Sequence, residues 1–240
     1  MSNPVGIIPA FAPPTPSRRR EQRLRLLPMI RAVVFDVGET LVDETAVFAG
    51  WADWLGVPRH TFSAVLGAAM ARGESQLSAF RVFRADFDLR VEDRKREAAG
   101  ESSGFGADDL YSDVRPCLAE LKRAGIWVGI AGNQPVRAHQ DLVGCGLPAD
   151  LIATSDGWGV SKPDPAFYRR VVAEAPCAAH EILYVGDRVD NDVVAAKREG
   201  LRAGLLRRGP HGFIERGPDG GADVRLDGLA ELPAWVAAQG

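Results

Sequence analysis

The run Ala32-Val33-Val34-Phe35 ends on a carboxylate, Asp36, and the chain then turns through Val37-Gly38-Glu39-Thr40 into Leu41-Val42. Four consecutive apolar residues, two of them valine, predict a short strand covered on both faces, because a strand with one wet face would alternate. A carboxylate at the carboxyl end of such a strand falls in the crevice where open α/β sheets bind ligands. The pattern returns at Ile182-Leu183-Tyr184-Val185-Gly186-Asp187, followed by Asp190, Asn191 and Asp192.

Further apolar runs at 126–131, 151–153 and 203–206 join 31–36 and 182–186 as expected strands. Between the later ones the pattern turns helical. Pro116 suits the first turn of a helix running to Ala124, with Gly125 to end it. Pro135 opens a second through Val143, and Pro165 a third through Glu174. Asp190 is placed to cap a fourth over Asn191–Glu199, closed by Gly200. Strands alternating with helices imply βαβ units and an α/β fold with a mainly parallel sheet. Right-handed crossovers then bring the strand carboxyl ends to one edge.

The stretch 44–112 breaks this rhythm. Val47, Trp51, Trp54 and Leu55 follow helical spacing, as do Phe62, Val65, Leu66, Ala69 and Met70; Leu77, Phe80, Val82 and Phe83 indicate a third helix. The expected organisation is a core of 29–43 and 113–240, with a helical cap, 44–112, inserted after the first strand and overhanging the crevice as a lid. Between 58 and 98 eight basic side chains stand among six acids, a near balance that favours solvated helix faces over an anion-binding patch. Residues 1–28 contain Pro4, Pro9, Pro13, Pro14, Pro16 and Pro28 and are expected to form a disordered arm. Their basic residues follow the apolar stretch, the reverse of a secretory signal. Translation from Met29 explains them more simply than an electrostatic docking tail does.

The formal net charge is −3, although residues 1–31 hold six arginines against Glu21 alone. That balance argues against bulk binding to nucleic acid, and no apolar run approaches the length of a membrane span. Cys117, Cys145 and Cys177 are odd in number and far apart, which supports neither zinc nor a disulfide framework and fits a reducing cytoplasm. His60, His139, His180 and His211 show no ligand spacing. The Gly-rich stretch 207–222 reads as a flexible connector to a final helix containing Trp235, rather than as an anion cradle. Oligomeric state is left open.

Four sites fall at or just beyond expected strand ends: Asp36; Gly132-Asn133-Gln134; Lys162 within Gly159-Val160-Ser161-Lys162-Pro163-Asp164-Pro165; and Asp187 with Asp192. Their chemistry is complementary. Asp36, Asp187 and Asp192 supply the oxygen ligands that a hard cation such as Mg²⁺ takes, and without a cation they would repel one another. Lys162 is a point charge suited to a phosphate oxygen. Gly132 and Asn133, read as the start of a helix, offer backbone N–H groups and a side-chain amide to an anion.

The stretch Phe35-Asp36-Val37-Gly38-Glu39-Thr40-Leu41, the Lys162 loop, and Val185-Gly186-Asp187 with Asn191-Asp192 resemble the motifs of the haloacid dehalogenase (HAD) superfamily of hydrolases, many of them phosphatases, over residues 30–210. The resemblance implies a Rossmann-like sheet with helices on both faces and a helical cap. It implies that Asp36 is a nucleophile forming an aspartyl-phosphate, which water hydrolyses. It places the carbonyl of Gly38 with Asp36 and Asp187 around Mg²⁺, and has Asp192 support the metal through water or hold Lys162. Lys162 would offset negative charge on the nucleophile and the phosphoryl group, and Thr40 would buttress the loop.

Two positions depart from the family pattern. Gly38 stands where family phosphatases carry an acid–base Asp, the loss of which costs on the order of 10² to 10⁴ in rate; Glu39 is adjacent and could substitute. Gly132 stands where a Ser or Thr usually binds phosphate. The expected function is therefore slow, Mg²⁺-dependent hydrolysis of a small phosphorylated metabolite. The alternatives are a regulatory protein that binds phosphate and metal with little turnover, and a metal-free hydrolase displacing halide from carbon. Gly38→Asp is expected to raise a phosphatase rate.

Overall fold

A computed structural model describes residues 29–101, 104–215 and 217–239; the arm expected over 1–28 lies outside them. Strand β1, Ala32–Phe35, is buried along its whole length. Its alternation points Val33 and Phe35 into one apolar cluster and Ala32 and Val34 into another. A strand sandwiched between two helical layers needs this continuous apolar composition. Around β1 run β2 (Trp127–Gly132), β3 (Leu151–Thr154), β4 (Ile182–Gly186), β5 (Arg202–Leu206) and β6 (Val224–Leu226), in the order β3-β2-β1-β4-β5-β6 with every neighbouring pair parallel. The direction of winding reverses between β1 and β4, which places the ligand crevice at their carboxyl ends.

Five helices, α1 (Thr45–Leu55), α2 (Arg59–Ala71), α3 (Gln76–Phe83), α4 (Leu89–Ala98) and α5 (Val114–Arg123), lie between β1 and β2. The rest are α6 (Ala138–Gly144), a single turn α7 (Ser155–Trp158), α8 (Pro165–Glu174), α9 (Ala195–Arg198), α10 (Gly209–Ile214) and α11 (Leu232–Ala237). Pro165 opens α8 as expected, with the Asp164 carboxylate accepting the Ala166 N–H (2.8 Å). Pro116 likewise falls in the first turn of its helix, as the third residue of α5, whereas Pro135 stands three residues ahead of α6. Asp190 does not cap a helix: it lies inside a π-helical turn, Val189–Val194, that runs into α9. Its carboxylate takes up the Arg188 guanidinium at 2.8 Å.

The stretch 207–222 also differs from expectation. It begins with α10 and leads into edge strand β6, whose Val-Arg-Leu sequence carries no apolar run to announce it. Helices α1 to α4 gather an apolar cluster of their own around Trp51, Phe62, Leu66, Phe80 and Phe87, to which Ile214 of α10 adds. Phe62 and Trp51 meet Phe80 edge to face at 5.0 and 5.7 Å, and Phe87 stacks on it at 4.5 Å. Two charged residues read as solvated are buried here. Glu92 accepts from Trp54 Nε1 (2.9 Å), Arg84 (2.6 Å) and Lys95 (2.6 Å), and the Arg96 guanidinium lies 4.3 Å over the Trp51 ring. Among the described residues no helix is long and apolar enough to cross a membrane.

Candidate active site

Asp36 follows β1 directly, and its N–H binds the Val185 carbonyl of β4 (2.9 Å), so the pairing of β1 with β4 carries it to the mouth of the crevice. Asp187 occupies the matching place after β4. Gly186 before it has no alternative: a Cβ there would collide with the Asp192 carboxyl group. Asp192 comes back to the same point because the π-helical turn lets its Oδ2 accept the Arg188 N–H (2.9 Å). Asp36, Asp187 and Asp192 are buried and offer ligand oxygens within 4.8 Å of one another.

Lys162 enters from the loop before α8. Its ammonium lies 2.7 Å from Asp36 Oδ1 and 2.6 Å from Asp192 Oδ1, and 5.4 Å over the Tyr184 ring. The loop, which contains the cis peptide Lys162–Pro163, is held by Asn133. The Asn133 amide donates to the Lys162 carbonyl (2.9 Å), and its oxygen accepts the Lys162 N–H (2.8 Å). Asn133 thus clamps the lysine loop. Gly132 is the last residue of β2, and α6 begins only at Ala138, so the helix start expected at 132–133 is not there.

Charge and burial oppose each other in this cluster. Burial lifts the Asp36 carboxyl above its usual range, and Lys162 only partly offsets it. Asp187 is pushed well up by burial, with repulsion from Asp192 and Asp36 added. Burial works to lower the Lys162 pKa, but Asp192 and Asp36 outweigh it and hold the ammonium above its ordinary value. One positive charge among three buried carboxylates leaves an excess that a divalent cation would neutralise, and the donor set is all oxygen, as a hard ion requires.

Asp36, Lys162 and Asp187 of this cluster line a cavity of about 800 Å³. Val47, Phe48 and Trp51 of α1 with Leu77 and Phe80 of α3 supply apolar wall; Arg137, Ser155 and His211 supply polar wall. Thr40 is fully buried under the loop, and its carbonyl accepts from Arg208 (3.0 Å). Glu39 has a left-handed backbone (φ 52°) and its carboxylate accepts the Tyr111 hydroxyl at 2.6 Å. The volume over Gly38 is filled by Glu44, which sequence reading passed over. Its carboxyl is pushed up to about 8 by burial and by Glu39, Asp36 and Asp43 around it. No spacing rule marks a glutamate eight positions after a strand-end aspartate; only the curl of the 38–42 loop brings it back.

The sequence matches the family described as haloacid dehalogenase-like hydrolase over residues 30–200. It is 26% identical over 229 residues to a glyceraldehyde 3-phosphate phosphatase of Methanopyrus kandleri, covering 85% of this chain and 96% of that protein. It is 29% identical to a phosphoserine phosphatase of Thermus thermophilus, covering 87% and 93%. Among solved structures, the HAD-hydrolase YfnB of Bacillus subtilis, described as bound to magnesium, superposes with a TM-score of 0.66 at 16% identity over 87% of this chain and 99% of that one, a likeness of fold. With an aspartate closing the first strand, a lysine loop and a second acidic pair meeting in one crevice, and a family match spanning most of its length, this chain belongs to the haloacid dehalogenase-like hydrolases.

Proposed function

We propose that this hydrolase is a Mg²⁺-dependent phosphatase of a small phosphorylated metabolite, working through an aspartyl-phosphate on Asp36. The observation that carries the reading is the convergence of Lys162 on Asp36 and Asp192, with Asp187 completing the buried carboxylate group, beside a cavity large enough for a metabolite. The kinship to named phosphatases supports it. Asp36, Asp187 and Asp192, with the Gly38 carbonyl, would hold Mg²⁺, which when bound withdraws charge from the phosphoryl oxygens. Asp36 attacks phosphorus from the strand end, where its backbone is pinned to β4. Lys162 lies against the nucleophile and accompanies the charge that moves onto the phosphoryl oxygens. Asn133 keeps that lysine in register. Residues 44–112 act as a cap over the cavity, their apolar walls contacting the part of the substrate that departs.

The test is hydrolysis of 4-nitrophenyl phosphate with and without Mg²⁺, alongside Asp36→Asn. Release that needs both the ion and Asp36 is the expected result. Metal-independent release of halide from a 2-haloacid would instead assign carbon–halogen chemistry, and Mg²⁺ binding without turnover across a broad phosphate panel would assign a regulatory role.

A further inference from the structure

When a phosphoryl group passes from an alcohol to Asp36, the departing oxygen needs a proton, and the acyl phosphate that remains needs a water from which a proton is taken. Asp192 is bound to Lys162, and Asp187 lies in the same carboxylate group. Glu39 is tied to Tyr111. Glu44 is placed differently. It precedes α1 without capping it. Its side chain turns back over the loop, so that Oε1 lies 2.6 Å and Oε2 3.0 Å from where a Cβ on Gly38 would stand. Glu44, Gly38 and Asp36 line the same cavity. No cation among the described residues forms an ion pair with it: its charged surroundings are Glu39, Asp36 and Asp43.

Resting on the phosphatase reading above, we propose that Glu44 is the catalytic acid and base of this enzyme, its carboxyl group standing in the volume that a side chain on residue 38 would fill. In the first half-reaction an Asp36 oxygen bonds to phosphorus while the bond from phosphorus to the leaving oxygen breaks. The Glu44 carboxyl passes its proton to that oxygen, and the alcohol departs. In the second, the oxygen of water bonds to phosphorus as the bond to Asp36 breaks. The Glu44 carboxylate takes the proton from that water, so inorganic phosphate leaves and both side chains return to their starting states. The same geometry bears on the expectation for Gly38→Asp. Its side chain would meet the Glu44 carboxyl, the far end of a flexible side chain, which must turn aside to admit it.

The experiment compares phenyl phosphate, a poor leaving group, with 4-nitrophenyl phosphate, a good one, in Mg²⁺, for the wild type, Asp36→Asn, Glu44→Gln, Glu44→Ala and Glu44→Ala/Gly38→Asp. Glutamine keeps the shape of the acid and therefore the fold. Glu44→Gln is expected to lower phenyl phosphate turnover on the order of 10²- to 10⁴-fold. On 4-nitrophenyl phosphate it is expected to give a stoichiometric burst followed by slow turnover, with phosphate trapped on Asp36 after acid quench, because nitrophenolate departs unaided while water is no longer activated. Gly38→Asp is expected to return activity lost in Glu44→Ala. A merely structural role for Glu44 produces neither the burst nor the dependence on leaving group. If the wild type shows Asp36-dependent turnover and Glu44→Gln matches it on both substrates without a burst, the Glu44 assignment is overturned and the phosphatase reading stands. If the wild type has no Asp36-dependent turnover, both are overturned.

Discussion

A Cβ on residue 132 would stand 2.5 Å from Asp36 Oδ1 and 3.2 Å from the Val37 amide nitrogen. Gly132 is therefore more than a missing hydroxyl: its bareness lets the Asp36 carboxylate lie against Lys162. Gly132→Ala is expected to push that carboxylate off the lysine and to cost about 1–3 kcal/mol through overpacking, read by urea unfolding, together with a fall in kcat. Lys162 answers to a different balance. Removing a buried cation leaves its carboxylates unpaired, which costs about 3–5 kcal/mol. Lys162→Met is expected to lose stability on that scale in EDTA and to regain part of it in Mg²⁺, because a second cation can take over the compensation; melting curves with and without the ion check this. Asp36, Lys162, Asp187 and Asp192 were all legible as candidates, since each follows an apolar run or sits in a proline-rigid loop. The clamping by Asn133 was not, because the amide meets the lysine backbone across 29 residues of sequence.

Helix α4 shows how an element can hide. Its sequence, Leu-Arg-Val-Glu-Asp-Arg-Lys-Arg-Glu-Ala, has no broad apolar stripe. Its one local signal is Asp88, whose carboxylate caps the helix by accepting the Val91 N–H (3.0 Å). What holds it down is Glu92, whose carboxyl is lowered to about 2 by its bonds from Lys95 and Trp54, with Arg84 adding charge while burial opposes. A carboxyl lowered in the folded state adds stability above its ordinary pKa, and that stability is lost as pH falls from about 4.5 toward 2. The Arg84 and Lys95 side chains are 37% and 58% exposed, so solvent screens part of the effect. Glu92→Gln is expected to cost about 1–3 kcal/mol at pH 7. That cost should shrink as pH falls through the window, as thermal melts across pH would show. Edge strand β6 was missed for a related reason: three residues with arginine in the middle form a strand because β5 offers a free edge.

At the scale of the whole molecule, the strand order decides the chemistry. Putting β1 beside β4 sets Asp36 and Asp187 at adjacent strand ends, although 151 positions separate them in sequence. An ion that binds only the folded chain raises stability by mass action, about 2.7 kcal/mol at a hundredfold excess over Kd. Mg²⁺ is expected to raise the Tm of the wild type and to have little effect on Asp187→Asn, by calorimetry of each protein with and without the ion. The connections into and out of α1–α4 run side by side, Val42 bridging Leu110 and the Asp43 N–H bonding the Asp109 carbonyl (2.8 Å). The four helices also meet the rest of the chain through Ile214 of α10 and through Arg137, which lies 3.1 Å from Asp93.

The amino-acid order alone determined the parallel α/β layout, the interruption after the first strand and the acidic and basic candidates, because buried strands, proline-opened helices and strand-end carboxylates are local patterns. Only tertiary structure decided which carboxyl stands over Gly38. That depends on how the 38–42 loop curls and where α1 begins, and a distance of this kind through space has no signature in the spacing along the chain.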